Sequence, residues 1–291
     1  MSELIENEDG GVTLTGDGIY RAKDLTESIW SLYRGESQIR HSCGFKSLDP
    51  YFKIIKPSFI LMTGTPNCGK SSLTYDICMR TAREHGFKYT IFSPEHSSAV
   101  NLKRLIEKYL HKPFDHIFKN RASETEVLEA IDFIQDHFFF IDKEGDSPDI
   151  DWLLTTALYC DETWGIDGMV IDPYNEINPT RHNLREDEHI SLLISKIKKF
   201  NRVHDTCTFL VAHPTKQIRG ADGMFSVNSL YDVSGSAHWN NKADVGIIVT
   251  RDYERGVTNV RVAKVREIDV QGTIGECTIK WNNATKCFDD V

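Results

Sequence analysis

From residue 58 onward the chain alternates short apolar runs, rich in β-branched and aromatic residues, with longer stretches whose apolar positions recur at helical spacing. The runs Phe59–Thr63, Tyr89–Ser93, Phe138–Asp142, Gly168–Ile171, Cys207–Ala212, Val245–Thr250 and Val257–Val265 read as strands. Several are continuously apolar, the pattern of strands covered by helices on both faces. Helices are expected over 70–85, 98–110, 123–136, 149–163 and 188–204. This alternation predicts an α/β fold with a mostly parallel central sheet. Between 245 and 288 the pattern changes to strands joined by short turns such as Arg255-Gly256 and Asn282-Asn283. An antiparallel C-terminal extension at one sheet edge follows.

Ahead of this pattern, residues 1–22 show no strong periodicity and read as a mobile leader. Next, Leu25, Ile29, Trp30 and Leu32 form an apolar stripe on a short helix within Asp24–Arg34. That helix either folds onto its own domain or docks on a neighbouring subunit. The expected organisation is a leader and linker helix over 1–43 and one folded domain over 44–291, with no internal repeat.

Composition narrows the class. The 291 residues are 40% apolar, enough for one well-buried core and marginal for two full domains. No apolar run approaches the roughly 20 residues needed to cross a bilayer. The acidic start MSELIENEDGG lacks the basic and apolar regions of a signal peptide. The seven cysteines, at 43, 68, 78, 160, 207, 277 and 287, contain no C-x-x-C pair, which argues against a zinc ribbon and a secreted disulfide framework. A cytoplasmic or nucleoid setting is expected, or a host cytoplasm for a phage-encoded chain, with no membrane and no secretion. The net charge of −9 weakens a transcription-factor or histone-like reading. Any nucleic-acid contact must then come from a few local basic residues.

The strongest chemical signal is Gly64-Thr65-Pro66-Asn67-Cys68-Gly69-Lys70-Ser71, a full G-x-x-x-x-G-K-[ST] phosphate loop between an expected strand and an expected helix. Glycines let backbone N–H groups turn toward phosphates, and the helix N-terminus adds partial positive charge. Lys70 is expected to reach the β- and γ-phosphates and Ser71 to offer its hydroxyl to Mg²⁺, with Ser72 beside it. Gly168-Met-Val-Ile-Asp172 is an apolar strand ending in a carboxylate, as in a Walker B element that holds the metal's water shell. A base for the attacking water is supplied either by Glu95, after the strand Tyr89–Ser93, or by Glu176 in Asp172-Pro-Tyr-Asn-Glu176.

Taken in order, Gly64–Ser71, Phe92-Ser-Pro-Glu95, Ile171-Asp-Pro-Tyr-Asn-Glu176, Val211-Ala-His-Pro214, Ser234–Asp244 and Lys264-Val-Arg266 resemble the motifs of DnaB-family hexameric helicases, phage-type primase–helicases and Twinkle above all. The likeness covers about residues 44–288. It implies a RecA-like P-loop core using ATP (or dTTP) and Mg²⁺, and an NTPase coupled to DNA unwinding. The implied partners are single-stranded and forked DNA, further copies of the chain in a hexameric ring, and a primase or polymerase. By the same likeness Glu95 is the catalytic glutamate, Asp172 the Walker B acid and His213 the γ-phosphate sensor. Lys264 and Arg266 resemble the basic pair that reaches a neighbour's site, Arg266 as arginine finger. Arg251 and Trp281 match positions that sandwich the base. Each also fits a plainer role: a structural histidine, solvent-facing strand cations, a surface pair of Arg251 with Asp252 or Glu254, a core tryptophan.

Ring motors grip DNA with channel loops. The segment Thr215–Gly223 follows His213 directly, so Lys216, Arg219 and the backbone at Gly220 and Gly223 are the expected phosphate contacts. A second loop, 178–187, carries Arg181, His182 and Arg185. The rival functions are a RecA/RadA-like filament-forming recombination ATPase and a non-motor loader or assembly ATPase.

Overall fold

The computed structural model describes residues 3–6, 12–15, 20–36, 39–143, 145, 147–179, 184–214, 218–219, 225–227, 229–233, 235 and 237–291. They fall into two units, Met1–Ile39 and Arg40–Val291. In the first, strands β1 (Glu3–Glu6) and β2 (Val12–Thr15) pair antiparallel with Leu4 opposite Leu14. This hairpin adds two short strands to the expected leader: Leu-Ile and Val-Thr-Leu-Thr are short β-prone runs, too brief to register as periodicity. A 3-10 turn over Ala22–Leu25 leads into helix α1 (Thr26–Tyr33), on which Ile29, Trp30, Leu32 and Tyr33 are exposed.

The second unit opens with β3 (His41–Ser42) and β4 (Lys53–Ile54), paired antiparallel, so it takes in residues that the sequence pattern groups with the leader. There follow β5 (Ser58–Gly64), α2 (Lys70–His85), β6 (Tyr89–Phe92), α3 (Ser98–Leu110), α4 (Glu124–His137) and β7 (Phe138–Ile141). The middle holds α5 (Ile150–Trp164), β8 (Gly168–Ile171), α6 (Glu186–His204), β9 (Cys207–Val211) and the short pair β10 (Ile218–Arg219) and β11 (Phe225–Ser226). The chain closes with α7 (His238–Lys242), β12 (Val245–Asp252), β13 (Val257–Val265), α8 (Ile268–Gln271), β14 (Gly275–Asn282) and β15 (Cys287–Asp290).

Nine strands form one sheet in the order β15-β14-β13-β12-β5-β9-β8-β6-β7. From β12 to β7 every neighbour is parallel, and β12 to β15 is an antiparallel meander, the expected extension. All seven residues of β5 are buried. Because side chains alternate along a strand, Ile60 and Met62 enter the core on one face and Phe59 and Leu61 the core on the other. Helix α6 covers the second face through Ile190, Leu193, Ile194 and Ile197, one stripe at helical spacing. It begins two residues earlier than expected, where Glu186, Asp187 and Glu188 favour a helix N-terminus.

Polar groups fix the ends. Ser123 caps α4 by accepting from Glu126 N while Glu126 reaches back to Ser123 N at 2.9 Å. Buried Asn201 donates to Ser58 O at 2.8 Å and accepts from the hydroxyls of Thr206 and Thr208, tying α6 to β5 and β9. All seven cysteines are buried and unpaired, as the odd count suggested. No helix among the described residues is long and apolar enough to cross a membrane.

Candidate nucleotide site

The parallel strands β5, β6, β8, β9 and β12 end at one edge of the sheet, where ligands gather in open α/β folds. Strand β5 feeds the loop Gly64–Gly69 into α2. Gly64 has φ 152°, and a Cβ there would lie 1.9 Å from Val249 O, so only glycine passes. Gly69 has φ 97°, with Phe288 Cζ 2.8 Å from where its Cβ would stand. The curl leaves a concavity at the start of α2, whose first N–H groups lack partners within the helix. Lys70 is buried, and its ammonium donates to Gly64 O at 3.1 Å and Thr65 O at 2.9 Å. Burial raises the Cys68 thiol above its ordinary pKa, which keeps it protonated and inert.

Strand β8 delivers Asp172, 3% exposed, with the Ser71 hydroxyl beside it. Burial pushes its pKa up to about 6, the nearby Glu95 adding to the rise, against the Ser71 hydroxyl, Lys70 and Arg104. Strand β6 delivers Glu95 and β9 delivers His213, with Glu95 Oε1 3.9 Å from His213 Nε2. Burial, then Lys70, lowers the His213 pKa, so its imidazole is neutral at pH 7. Glu176, the other carboxylate considered as base, sits beyond Asp172 in the 3-10 turn Tyr174–Glu176.

The loop carrying Glu95 is held from behind. Buried Asn101 of α3 donates to Ser93 O at 3.0 Å and to His96 O at 3.3 Å, one on each side of Pro94-Glu95. Its own oxygen accepts from Tyr75 of α2 at 3.2 Å. Sequence reasoning misses Asn101, since an asparagine inside a helix carries no signature of its target.

Beside the loop lies a cavity of about 340 Å³ lined by Asn67, Cys68, Gly69, Ser72, Arg251, Trp281 and Phe288. Arg251 and Trp281 thus share one wall system with the loop. Arg251 donates to Thr258 Oγ1 at 2.9 Å, so its hydrogen bond crosses the hairpin to the facing strand and does not go to Asp252 or Glu254. Phe288, also missed from sequence, packs edge-on to Trp281 at 5.2 Å.

Lys264 and Arg266 lie elsewhere. Val249 pairs with Gly64 at the loop edge, whereas Val265 pairs with Val245 and Val245 with Ile60. Four residues of strand put the end of β13 about 13 Å down the sheet, toward the opposite edge. There Lys264 donates to Asn240 O and Asn241 O, and Arg266 to Asn241 O at 3.1 Å. Arg266 also pairs with Asp244 at 2.9 Å.

Of the expected DNA contacts, Lys216, Gly220, Gly223, Arg181 and His182 lie outside the described residues, and Arg219 is described only as backbone in β10. Arg185 is exposed and pairs with Asp187 at 3.1 Å.

Residues 41–290 match the family described as the DnaB-like helicase C terminal domain. This chain belongs to the DnaB-like helicase family. It is 33% identical over 286 residues to the Twinkle homolog protein, chloroplastic/mitochondrial, of Arabidopsis thaliana. The alignment takes in 94% of this chain but 40% of that relative's length. Among solved structures, one ATPase domain superposes with a TM-score of 0.74 at 19% identity, covering 92% of this chain and 98% of its own. A DnaB-like replicative helicase, described together with its interactions with primase, gives 0.73 at 20% identity over 98% of this chain and 69% of its own. At that identity the structures establish the RecA-like fold, and the family match establishes DnaB-like membership.

Proposed function

We propose that this DnaB-like domain is the motor of a ring-forming replicative helicase, hydrolysing ATP or dTTP at subunit interfaces while it moves along single-stranded DNA. One observation carries the reading: the loop, Glu95, Asp172 and His213 share one sheet edge, while the end of β13, with Arg266, lies toward the other. A guanidinium so placed serves a second copy of the chain and not its own loop.

The residues fit a Mg²⁺-nucleotide. The loop has the close backbone approach that only glycine allows, and Ser71 and Asp172 offer hard oxygen donors to a cation that keeps phosphate and water ligands. When bound, Mg²⁺ neutralises charge developing on the phosphates. Lys70 supplies a fixed positive charge at the loop. Glu95, held by Asn101, accepts a proton from the attacking water. His213, neutral and within reach of Glu95, reports the terminal phosphate to the segment that follows it. Arg266 from the neighbour stabilises the transferring phosphoryl group, a contribution of about 10³–10⁵ in rate where such fingers act. Lys264 lies beside it. Arg251 and Trp281 hold the base. Lys216, Arg219 and the Gly220 backbone contact the DNA, repeated around the ring so that an acidic chain still binds phosphate. A primase or polymerase is the expected partner at the fork.

Strand displacement from a forked duplex, measured beside single-strand-stimulated hydrolysis, tests this. The expected result is both activities, with turnover rising on adding single strands. Hydrolysis indifferent to protein concentration and to polynucleotide, with no displacement, overturns it.

A further inference from the structure

Lys108 is a buried cation outside the phosphate-contacting set. It lies on α3 with a side chain 3% exposed. All three of its N–H donors are used: Ser72 Oγ at 2.8 Å, Asp76 Oδ2 at 3.0 Å and Lys286 O at 2.6 Å. Its ammonium stands 4.6 Å from the Trp281 ring centre and 6.0 Å from that of Phe288. Asp76, equally buried, also accepts from Phe288 N at 2.9 Å. One ion pair therefore joins four things: the P-loop helix, α3, the turn before β15, and the two rings of the cavity beside the loop.

A buried ion pair costs desolvation and is weak evidence for stability by itself. This one makes its contacts on the wall of the nucleotide cavity. Trp281, Phe288 and Ser72 line that cavity and Lys108 does not, so Lys108 reaches the cavity only through them. By donating to Ser72 Oγ, Lys108 leaves the Ser72 proton free to point into the cavity. By facing the indole, it holds the ring with a cation–π contact in a desolvated setting, where such contacts are strongest.

We infer that Lys108, with Asp76, is a positioning residue for the nucleoside half of the substrate: it sets the Trp281–Phe288 wall and the Ser72 hydroxyl against the phosphate loop. The inference rests on the nucleotide reading of the site. It separates recognition of the base and sugar from recognition of the β- and γ-phosphates, which the loop, Lys70 and Ser71 hold without it.

Removing the ammonium alone would strand a buried carboxylate, so the test variant is Lys108→Met combined with Asp76→Asn, which keeps volume and the acceptor for Phe288 N. Mg²⁺-ATP and Mg²⁺-tripolyphosphate are titrated calorimetrically into the full chain, wild type and variant. Affinity for ATP is expected to fall about tenfold in the variant, the cost of re-ordering one or two freed wall side chains on binding, while tripolyphosphate stays within about twofold. In a Trp281→Ala background the same pair of changes should add little further loss, because the two act as one unit. Equal loss for both ligands overturns the inference and makes the pair a prop of the fold; unchanged ATP affinity overturns it outright. Failure of the wild type to bind either ligand instead removes the nucleotide reading on which it rests.

Discussion

Asn101 illustrates how a residue behind the candidate nucleotide site can fix the geometry of a carboxylate. Its amide bridges Ser93 O and His96 O, so the carboxylate between them cannot drift without breaking two buried hydrogen bonds. Asn101→Ala should lower kcat for hydrolysis by about 10- to 100-fold, as displacements near 1 Å do, and leave the KM for ATP within about twofold. Steady-state kinetics check it, and a rise in KM with kcat intact would contradict it. Asp172 makes the opposite point about stability. Below pH 3.8 both folded and unfolded chains hold its proton; between 3.8 and about 6 only the folded chain does. Folding therefore loses stability as pH rises across that window, by about 3 kcal/mol once both states are ionised. Asp172→Asn should raise the melting midpoint of the nucleotide-free protein at pH 8 by about 5 °C while hydrolysis drops sharply. A lower midpoint in thermal melts at pH 8 would refute this account of the carboxylate.

At the scale of elements, the decisive feature is that β13 runs back along β12. The hairpin returns Arg266 to the start of β5, where Asp244 ties three elements together. Asp244 accepts from Phe59 N at 3.0 Å, from Lys198 of α6 at 2.5 Å and from Arg266 at 2.9 Å. Its side chain is 14% exposed, so removing it leaves two cations and an amide short of a partner. Asp244→Ala should cost about 3 kcal/mol of stability in denaturant titration. It should also loosen Arg266, which the loss of hydrolysis at unchanged nucleotide affinity would report. An unchanged denaturation midpoint would show that the three contacts are replaceable by water.

For the whole molecule, the proposal that a neighbour completes each site makes a distinct prediction. Lys70→Ala and Arg266→Ala should each abolish hydrolysis, yet mixing them after subunit exchange should restore about a quarter of the wild-type rate. That fraction is the share of random interfaces pairing an intact loop with an intact finger. A mixture as inactive as its components would mean that Arg266 does not act across the interface. The net charge of −9 is compatible with the proposed ring, which would multiply a few channel cations around one strand.

The order of strands and helices, the parallel core and the antiparallel extension were legible in the chain itself, because burial on both faces of β5 demands an unbroken apolar run and helices demand their own spacing. The loop Gly64–Ser71 was legible as a G-x-x-x-x-G-K-[ST] spacing between strand and helix, although the collision that demands glycine at Gly64, with Val249 O, is a tertiary one. What the sequence could not convey were relations between distant positions. Phe288 against Gly69 and Tyr75 against Asn101 depend on such pairings, whereas the hairpin of Glu3–Glu6 with Val12–Thr15 is local but built of runs too brief to register as a period. Most of all, only the folded sheet decided that the end of β13, with Arg266, lies toward the edge away from the loop of its own chain, since strand direction and register follow from tertiary pairing.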